Sequence, residues 1–161
     1  MTRTARFRTS LATPLGPMAA TFDGPVLVEL AFRDTPASTP SPAPAGVAAA
    51  LAALRVALDA YFAGHAVDFD VPLAPEGTPF QQAVWNALRD VPYGSTASYA
   101  EIARRIGRPR AARAVGAANA RNPIAILVPC HRVNGADGSL TGYSGGLERK
   151  RALQALEARA A

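Results

Sequence analysis

At 161 residues, 49% of them hydrophobic, the chain can build one compact core or two small ones. It carries 17 basic against 12 acidic side chains, no uninterrupted apolar run as long as a membrane helix, and a start whose arginines are followed by Pro14, Gly16 and Pro17, a poor signal peptide. The single cysteine can form no internal disulfide and fits a reducing cytoplasm.

Met18–Phe22 and Val26–Phe32 read as strands joined by Asp23-Gly24, a hairpin turn signal. Residues 35–46, rich in proline, alanine and serine, predict an exposed loop. Leu51, Leu54, Leu58 and Tyr61 recur at helical spacing and predict a helix over Val47–Phe62, ended by Gly64, with His65 as a C-terminal cap residue. Val67–Val71 predicts a short strand whose Asp68 and Asp70 form a solvated face rather than a catalytic carboxylate pair. The expected division is residues 1–74 and 75–161.

In the second part Thr78, followed by Pro79 and Gln81, has the pattern of a helix N-terminus. Phe80, Val84, Trp85, Leu88 and Val91 are its expected core side chains. Ser98 and Glu101 form another capping box, opening a helix over Tyr99–Ile106. Gly107 stops it, and Pro109 opens the next, Arg110–Ala120. Two short helices joined at a glycine are a helix-turn-helix candidate, although such pairs are also common packing units.

Charge is concentrated here. Residues 1–100 hold six arginines and eight acids, net −2; residues 101–161 hold eleven basic and four acidic side chains, net +7. Between Ile102 and Ala136 there are seven arginines and no acid, a surface suited to a phosphate backbone. Ala111 to Ala118 has almost only small side chains, which let backbone approach closely and suit the narrow minor groove better than the major groove. Arg113 is the one long side chain of that run, able to enter the base stack where a base has left.

Cys130 lies in Ile126-Leu127-Val128-Pro129-Cys130-His131-Arg132-Val133, which predicts a thiol at the end of an apolar strand. Core filling is the bland role for a lone cysteine. A metal role is weaker, because His65, His131 and Cys130 have no metal-ligand spacing, and no metal or other cofactor is implied. Catalysis requires a base to generate thiolate. His131 is the candidate, but neighbours in a strand point to opposite faces, so contact needs a turn or a bridging water. Asp137, Glu148 and Glu157 are candidate orienters of the imidazole. Arg149, Lys150 and Arg151, on a helix predicted over Leu147–Ala158, read as solvated or backbone-facing.

Pro129-Cys130-His131-Arg132-Val133, with Asn122-Pro123 before it and Gly142-Tyr143-Ser144-Gly145-Gly146 after it, closely resembles the O6-alkylguanine-DNA alkyltransferases. The likeness extends from Gly77-Thr78-Pro79-Phe80-Gln81-Gln82 through Val91-Pro92-Tyr93-Gly94 to Glu157. It implies an α+β fold: a small amino-terminal α/β domain with an antiparallel hairpin in a ribonuclease H-like layout, then a mostly helical, winged helix-turn-helix-like domain. It also implies direct-reversal repair of double-stranded DNA containing O6-alkylguanine, and O4-alkylthymine, by a cytoplasmic monomer able to cluster on DNA, with no membrane and no cofactor.

By the same resemblance Cys130 is the nucleophile, His131 its base, Glu157 the orienting acid and Asn122 the hinge that ties the DNA-reading helix to the active-site turn. Arg113 fills the gap left by the flipped base, Tyr99 helps turn the 3′ phosphate, and Ala112, Ala114 and Gly116 are the small groove-facing residues. Val133, Tyr143, Ser144 and Gly145 line the alkylguanine pocket, Ser144 donates to O6, and the carbonyls of Cys130 and Val133 accept the exocyclic amine. Two other readings stay open at this level, a cysteine hydrolase or thioltransferase and a non-catalytic lesion-binding alkyltransferase-like protein.

Overall fold

The computed structural model describes residues 5–34 and 42–160. The α+β expectation holds. The chain forms two compact units, residues 1–75 and 76–161.

Unit one is built on three antiparallel strands in the order β1 (Phe7–Leu11), β2 (Met18–Asp23), β3 (Val26–Phe32). β1 is absent from the sequence reading. It offers only two apolar side chains in Phe-Arg-Thr-Ser-Leu, and pairing with β2, Phe7 opposite Phe22 and Leu11 opposite Met18, makes it a strand. Met18, Ala19 and Ala20 of the central strand are all buried. The β2–β3 turn is centred on Gly24-Pro25, one residue later than expected, because Asp23 pairs with Val26. Gly24 has φ +57° and the Pro25 ring holds φ negative, the combination of a type II′ hairpin.

Of the predicted 35–46 loop, residues 35–41 lie outside the described residues. Helix α1 runs Ala45–Phe62 and buries Val47, Leu54, Leu58 and Tyr61. By length and composition alone α1 could cross a membrane. Arg55 and Asp59 interrupt its apolar run, yet its alanine-rich mean hydropathy stays at 1.5. His65 caps the helix by its backbone, its N–H donating to the Ala60 carbonyl at 3.1 Å.

The strand predicted over Val67–Val71 does not form. The chain meets β3 two residues later, in a single parallel bridge between Leu27 and Leu73. The Leu27 N–H donates to the Pro72 carbonyl at 2.9 Å and the Ala74 N–H to the Leu27 carbonyl at 3.0 Å. Asp68 and Asp70 are exposed, as alternation predicted, but alternation without a partner edge makes no ladder.

Unit two opens with α2, Pro79–Leu88, capped by Thr78 in a full capping box with Gln81. Val84, Trp85, Leu88 and Val91 are buried and Phe80 partly so. After β4, Ala97–Ser98, a second capping box between Ser98 and Glu101 starts α3, Tyr99–Arg105. Helix α4 is Ala112–Ala120, shorter at its start than expected: its N-cap is Ala111, which offers no side-chain acceptor. A short 3-10 turn, Cys130–Arg132, leads into β5, Val133–Asn134, which pairs in parallel with β4. Helix α5, Leu147–Ala160, closes the unit.

The buried indole of Trp85 holds α2 against α4, its Nε1 donating to the Ala118 carbonyl at 2.9 Å. Trp85→Phe removes that donor and part of the packed volume, and should cost about 2–4 kcal/mol. Urea unfolding checks this: the midpoint falls with an unchanged slope, and an unchanged midpoint would show the bond to be dispensable.

Candidate active site

The segment before the cysteine is not a strand. Ile124 to Val128 is buried throughout, but its backbone is coiled into turns. Pro123 and Pro129 lack N–H groups, and the Asn122 side chain substitutes for a ladder: its Oδ1 accepts from the Ile124 N–H at 3.0 Å and its Nδ2 donates to the Val128 carbonyl at 2.8 Å. Ile126 has φ +72°, and the Leu127 N–H donates to the Ala125 carbonyl at 2.8 Å, a strained γ-turn. Pro129, at φ −83° and ψ 65°, makes the inverse form, with the Cys130 N–H on the Val128 carbonyl at 2.8 Å. The 3-10 turn that follows frees Cys130 and His131 from the alternation of a strand.

Cys130 and His131 are 1% and 0% exposed. His131 Nε2 lies 2.6 Å from Glu157 Oε2. Glu157 is itself 2% exposed, so it is no solvated helix carboxylate. It also accepts from Arg132 Nε at 2.8 Å, Arg132 Nη2 at 3.2 Å and the Gly94 N–H at 3.3 Å. So many donors favour the ionised carboxylate, which then requires the proton of a neutral imidazole to sit on Nε2. Nδ1 is left as the basic nitrogen. Burial lowers the His131 pKa, opposed by Glu157 and assisted by the charges of Arg132 and Lys150, so the resting ring is neutral.

Burial pushes the Cys130 thiol up to about 11, against a hydrogen bond from Asn122, the Lys150 charge and backbone N–H groups. The resting site therefore holds a thiol beside a neutral base. Lys150, on α5, is fully buried and faces backbone: its Nζ donates to the Val133 carbonyl at 2.5 Å and the Thr141 carbonyl at 2.6 Å. Burial lowers its pKa, while proximity to Cys130 raises it.

A separate cleft of about 420 Å³ gathers Tyr99, Ala112, Arg113 and Gly116 with Thr141 and Gly142. The Tyr99 hydroxyl donates to the Thr141 carbonyl at 3.2 Å, tying α3 to the loop after β5. Arg113 and Ala114 are exposed on α4.

The structure thus brings Cys130, Asn122, His131 and Glu157 into one buried cluster, and Tyr99, Ala112, Arg113 and Gly116 around one cleft. Val133 is buried beside the turn, and Tyr143 lies close enough to Cys130 for a thiolate to raise its pKa, after burial. The buried Tyr143 hydroxyl has no hydrogen-bond partner among the described residues. Ser144 is exposed, and the Gly145 carbonyl accepts from Arg149 at 3.2 Å. Of the other candidate orienters, Asp137 caps an exposed turn through Ser139 and Glu148 is exposed. Arg132, Lys150 and Asn119 were missed as site residues. The only signal for Arg132 was its place in the motif, and the others show only once α4 and α5 are packed. Among the described residues no group of three His, Cys, Asp or Glu side chains could hold a metal ion.

Residues 79–159 match the family model for the 6-O-methylguanine DNA methyltransferase DNA binding domain, and residues 7–75 match that for its ribonuclease-like domain. A methylated-DNA–protein-cysteine methyltransferase of Mycobacterium bovis is 51% identical over 92% of this chain and 90% of its own. One of Methanosarcina acetivorans is 65% identical over 62% of this chain and 64% of its own. The crystal structure of the Mycobacterium tuberculosis O6-methylguanine methyltransferase superposes with a TM-score of 0.85 at 48% identity, covering 98% of this chain and 95% of that one. The Mycobacterium tuberculosis OGT structure in complex with DNA gives 0.85 at 49%, covering 96% and 94%.

The raised thiol pKa has a consequence for stability. An unfolded thiol loses its proton near the ordinary value of 9.0, whereas the folded one holds it to about 11. Its contribution is therefore complete below the unfolded value and is lost as pH rises between the two. Melting temperature should fall more steeply from about pH 9 to 11 in the unmodified protein than in Cys130→Ala. Parallel curves would mean that the buried thiol is not held protonated by the fold.

Proposed function

The chain belongs to the 6-O-methylguanine DNA methyltransferase family, and on that premise we propose that Cys130 removes the alkyl group from O6-alkylguanine in double-stranded DNA, one molecule per lesion. The observation that carries this reading is the buried thiol, followed directly by the His131–Glu157 pair. Both belong to the unit whose α4 is built of small residues around Arg113.

Small residues let α4 lie in the minor groove while arginines meet phosphates. The lesion carbon sits on the major-groove edge of the stack, so the base must be extruded to meet the thiol. Arg113, exposed at the cleft, enters the gap, and Tyr99 turns the 3′ phosphate. Val133, Tyr143, Ser144 and Gly145 form the wall that takes the base, with Ser144 donating to O6 and the Cys130 and Val133 carbonyls accepting the exocyclic amine.

The thiol proton passes to His131 Nδ1, directly or through water, and the imidazolium is held by Glu157. Thiolate sulfur attacks the alkyl carbon in line. The S–C bond forms as the C–O6 bond breaks, and guanine leaves with the electron pair and is then protonated. The step needs only thiol, base and substrate. A thioether does not hydrolyse as a thioester would, which makes the protein its own end product. O4-alkylthymine presents a comparable O-alkyl carbon to the same thiol. The reading includes a monomer acting in a reducing cytoplasm, with copies able to cluster on DNA.

Mixing the protein with a duplex containing O6-methylguanine and measuring intact mass tests the reading. One retained methyl per protein is expected, and none with Cys130→Ser, which should still bind the duplex because phosphate contacts supply most affinity. Repeated turnover without an adduct would favour a hydrolase; binding without an adduct, a lesion-recognition module. Arg113→Ala should slow duplex repair at least about tenfold more than reaction with free O6-benzylguanine, which needs no extrusion. Equal slowing on both substrates would give Arg113 a different role.

A further inference from the structure

Asn119, in the last turn of α4, is 2% exposed and reaches the nucleophile across eleven residues of chain: its Nδ2 donates to the Cys130 carbonyl at 3.3 Å. The partner decides how the amide is turned, since a carbonyl only accepts and the flipped amide would set two oxygens against each other. In this orientation Asn119 Oδ1 is buried without a hydrogen-bond partner among the described residues, which costs stability. Asn122, the next site residue along, bonds the Val128 carbonyl and the Ile124 N–H. Two asparagines at the end of one helix thus hold the backbone of the turn that carries the cysteine.

We propose that Asn119 is a positioning residue for substrate selectivity: it occupies one lone pair of the Cys130 carbonyl and so aims the other at the exocyclic amine of the alkylguanine. This rests on the reading above, in which that carbonyl accepts the amine. A carbonyl oxygen has two acceptor directions near its own plane, so a fixed donor on one leaves a defined direction for the second. Asn119 stands on the helix that carries Arg113, so the element that keeps the stack open also orients the group that reads the base. The other carbonyl of the reading, that of Val133, is held likewise by buried Lys150.

The test uses two duplexes that differ only in the lesion, O6-methylguanine or O6-methylhypoxanthine, which lacks the amine. Single-turnover methyl transfer is measured with the full chain and with Asn119→Leu. The unmodified protein should favour the guanine lesion about tenfold, the worth of one well-placed hydrogen bond, and Asn119→Leu should reduce that preference to about threefold or less. The loss should fall on the guanine lesion, with the hypoxanthine rate held within about twofold. Should Asn119→Leu fail to fold, Asn119→Asp keeps the shape, faces the carbonyl with an acceptor, and should lower the preference at least as far. Both rates falling together at constant preference would make Asn119 a structural tie and overturn the proposal, as would an unmodified protein with no preference. No transfer from either duplex by the unmodified protein would instead overturn the reading of the site itself.

Discussion

One buried carboxylate organises this site. Glu157 receives hydrogen bonds from His131, twice from Arg132, and from the Gly94 backbone. It thereby joins α5, the turn carrying Cys130, and the loop between α2 and β4. A carboxylate taken from water is costly unless its oxygens are satisfied, and here every donor comes from an element that must be folded to supply it. The charge is a condition on assembly as much as the imidazolium's partner in the proposed reaction. Arg132 is tied further by donation to the Val91 carbonyl at 2.8 Å and by its place over the Tyr93 ring, 5.7 Å from the centroid.

That arrangement settles the resting protonation state. Arg132 neutralises Glu157, so His131 has less reason to hold a second proton than in a pair formed by histidine and carboxylate alone. Burial favours the neutral form of both Cys130 and His131, keeping the thiol protonated and the ring neutral. Both groups thus rest neutral, and in the proposed reaction the thiol ionises as the substrate excludes water and accepts the developing charge. For a protein spent by one reaction, that restraint matches the proposed use.

The exposed face of α4 and the buried cysteine turn are joined through the end of that helix. Its exposed side presents Arg113 and Ala114, and its buried end presents Asn119, with Asn122 just beyond, to the Cys130 turn. The strained Ile126 is the residue that lets the chain return toward α4 within a few positions. A β-branched side chain at positive φ is held there by the packing of its neighbours.

Much of the chemistry was legible along the chain. The capping boxes at Thr78 and Ser98 depend on residues three apart, the helical stripe of α1 on side chains one turn apart, and the adjacency of a cysteine and a histidine on immediate sequence, so local pattern was sufficient for each. The sequence also placed Glu157 among the candidates and, by resemblance, at the orienting position. What it could not decide was anything that hangs on a distant partner. β1 becomes a strand because β2 lies beside it, while Val67–Val71, with the better alternation, does not because the chain reaches the sheet only at Leu73. The apolar run before Cys130 has the composition of a strand, yet Asn122 and two prolines leave it in turns. Arg132 and Asn119 carry no role of their own along the chain, and Lys150 reads only as solvated or backbone-facing, until packing brings Glu157, the Cys130 carbonyl and the Val133 carbonyl within reach. Residue chemistry is written in the chain, but burial and hydrogen-bond geometry are properties of the packed unit, and those decide which groups ionise and which residue each one serves.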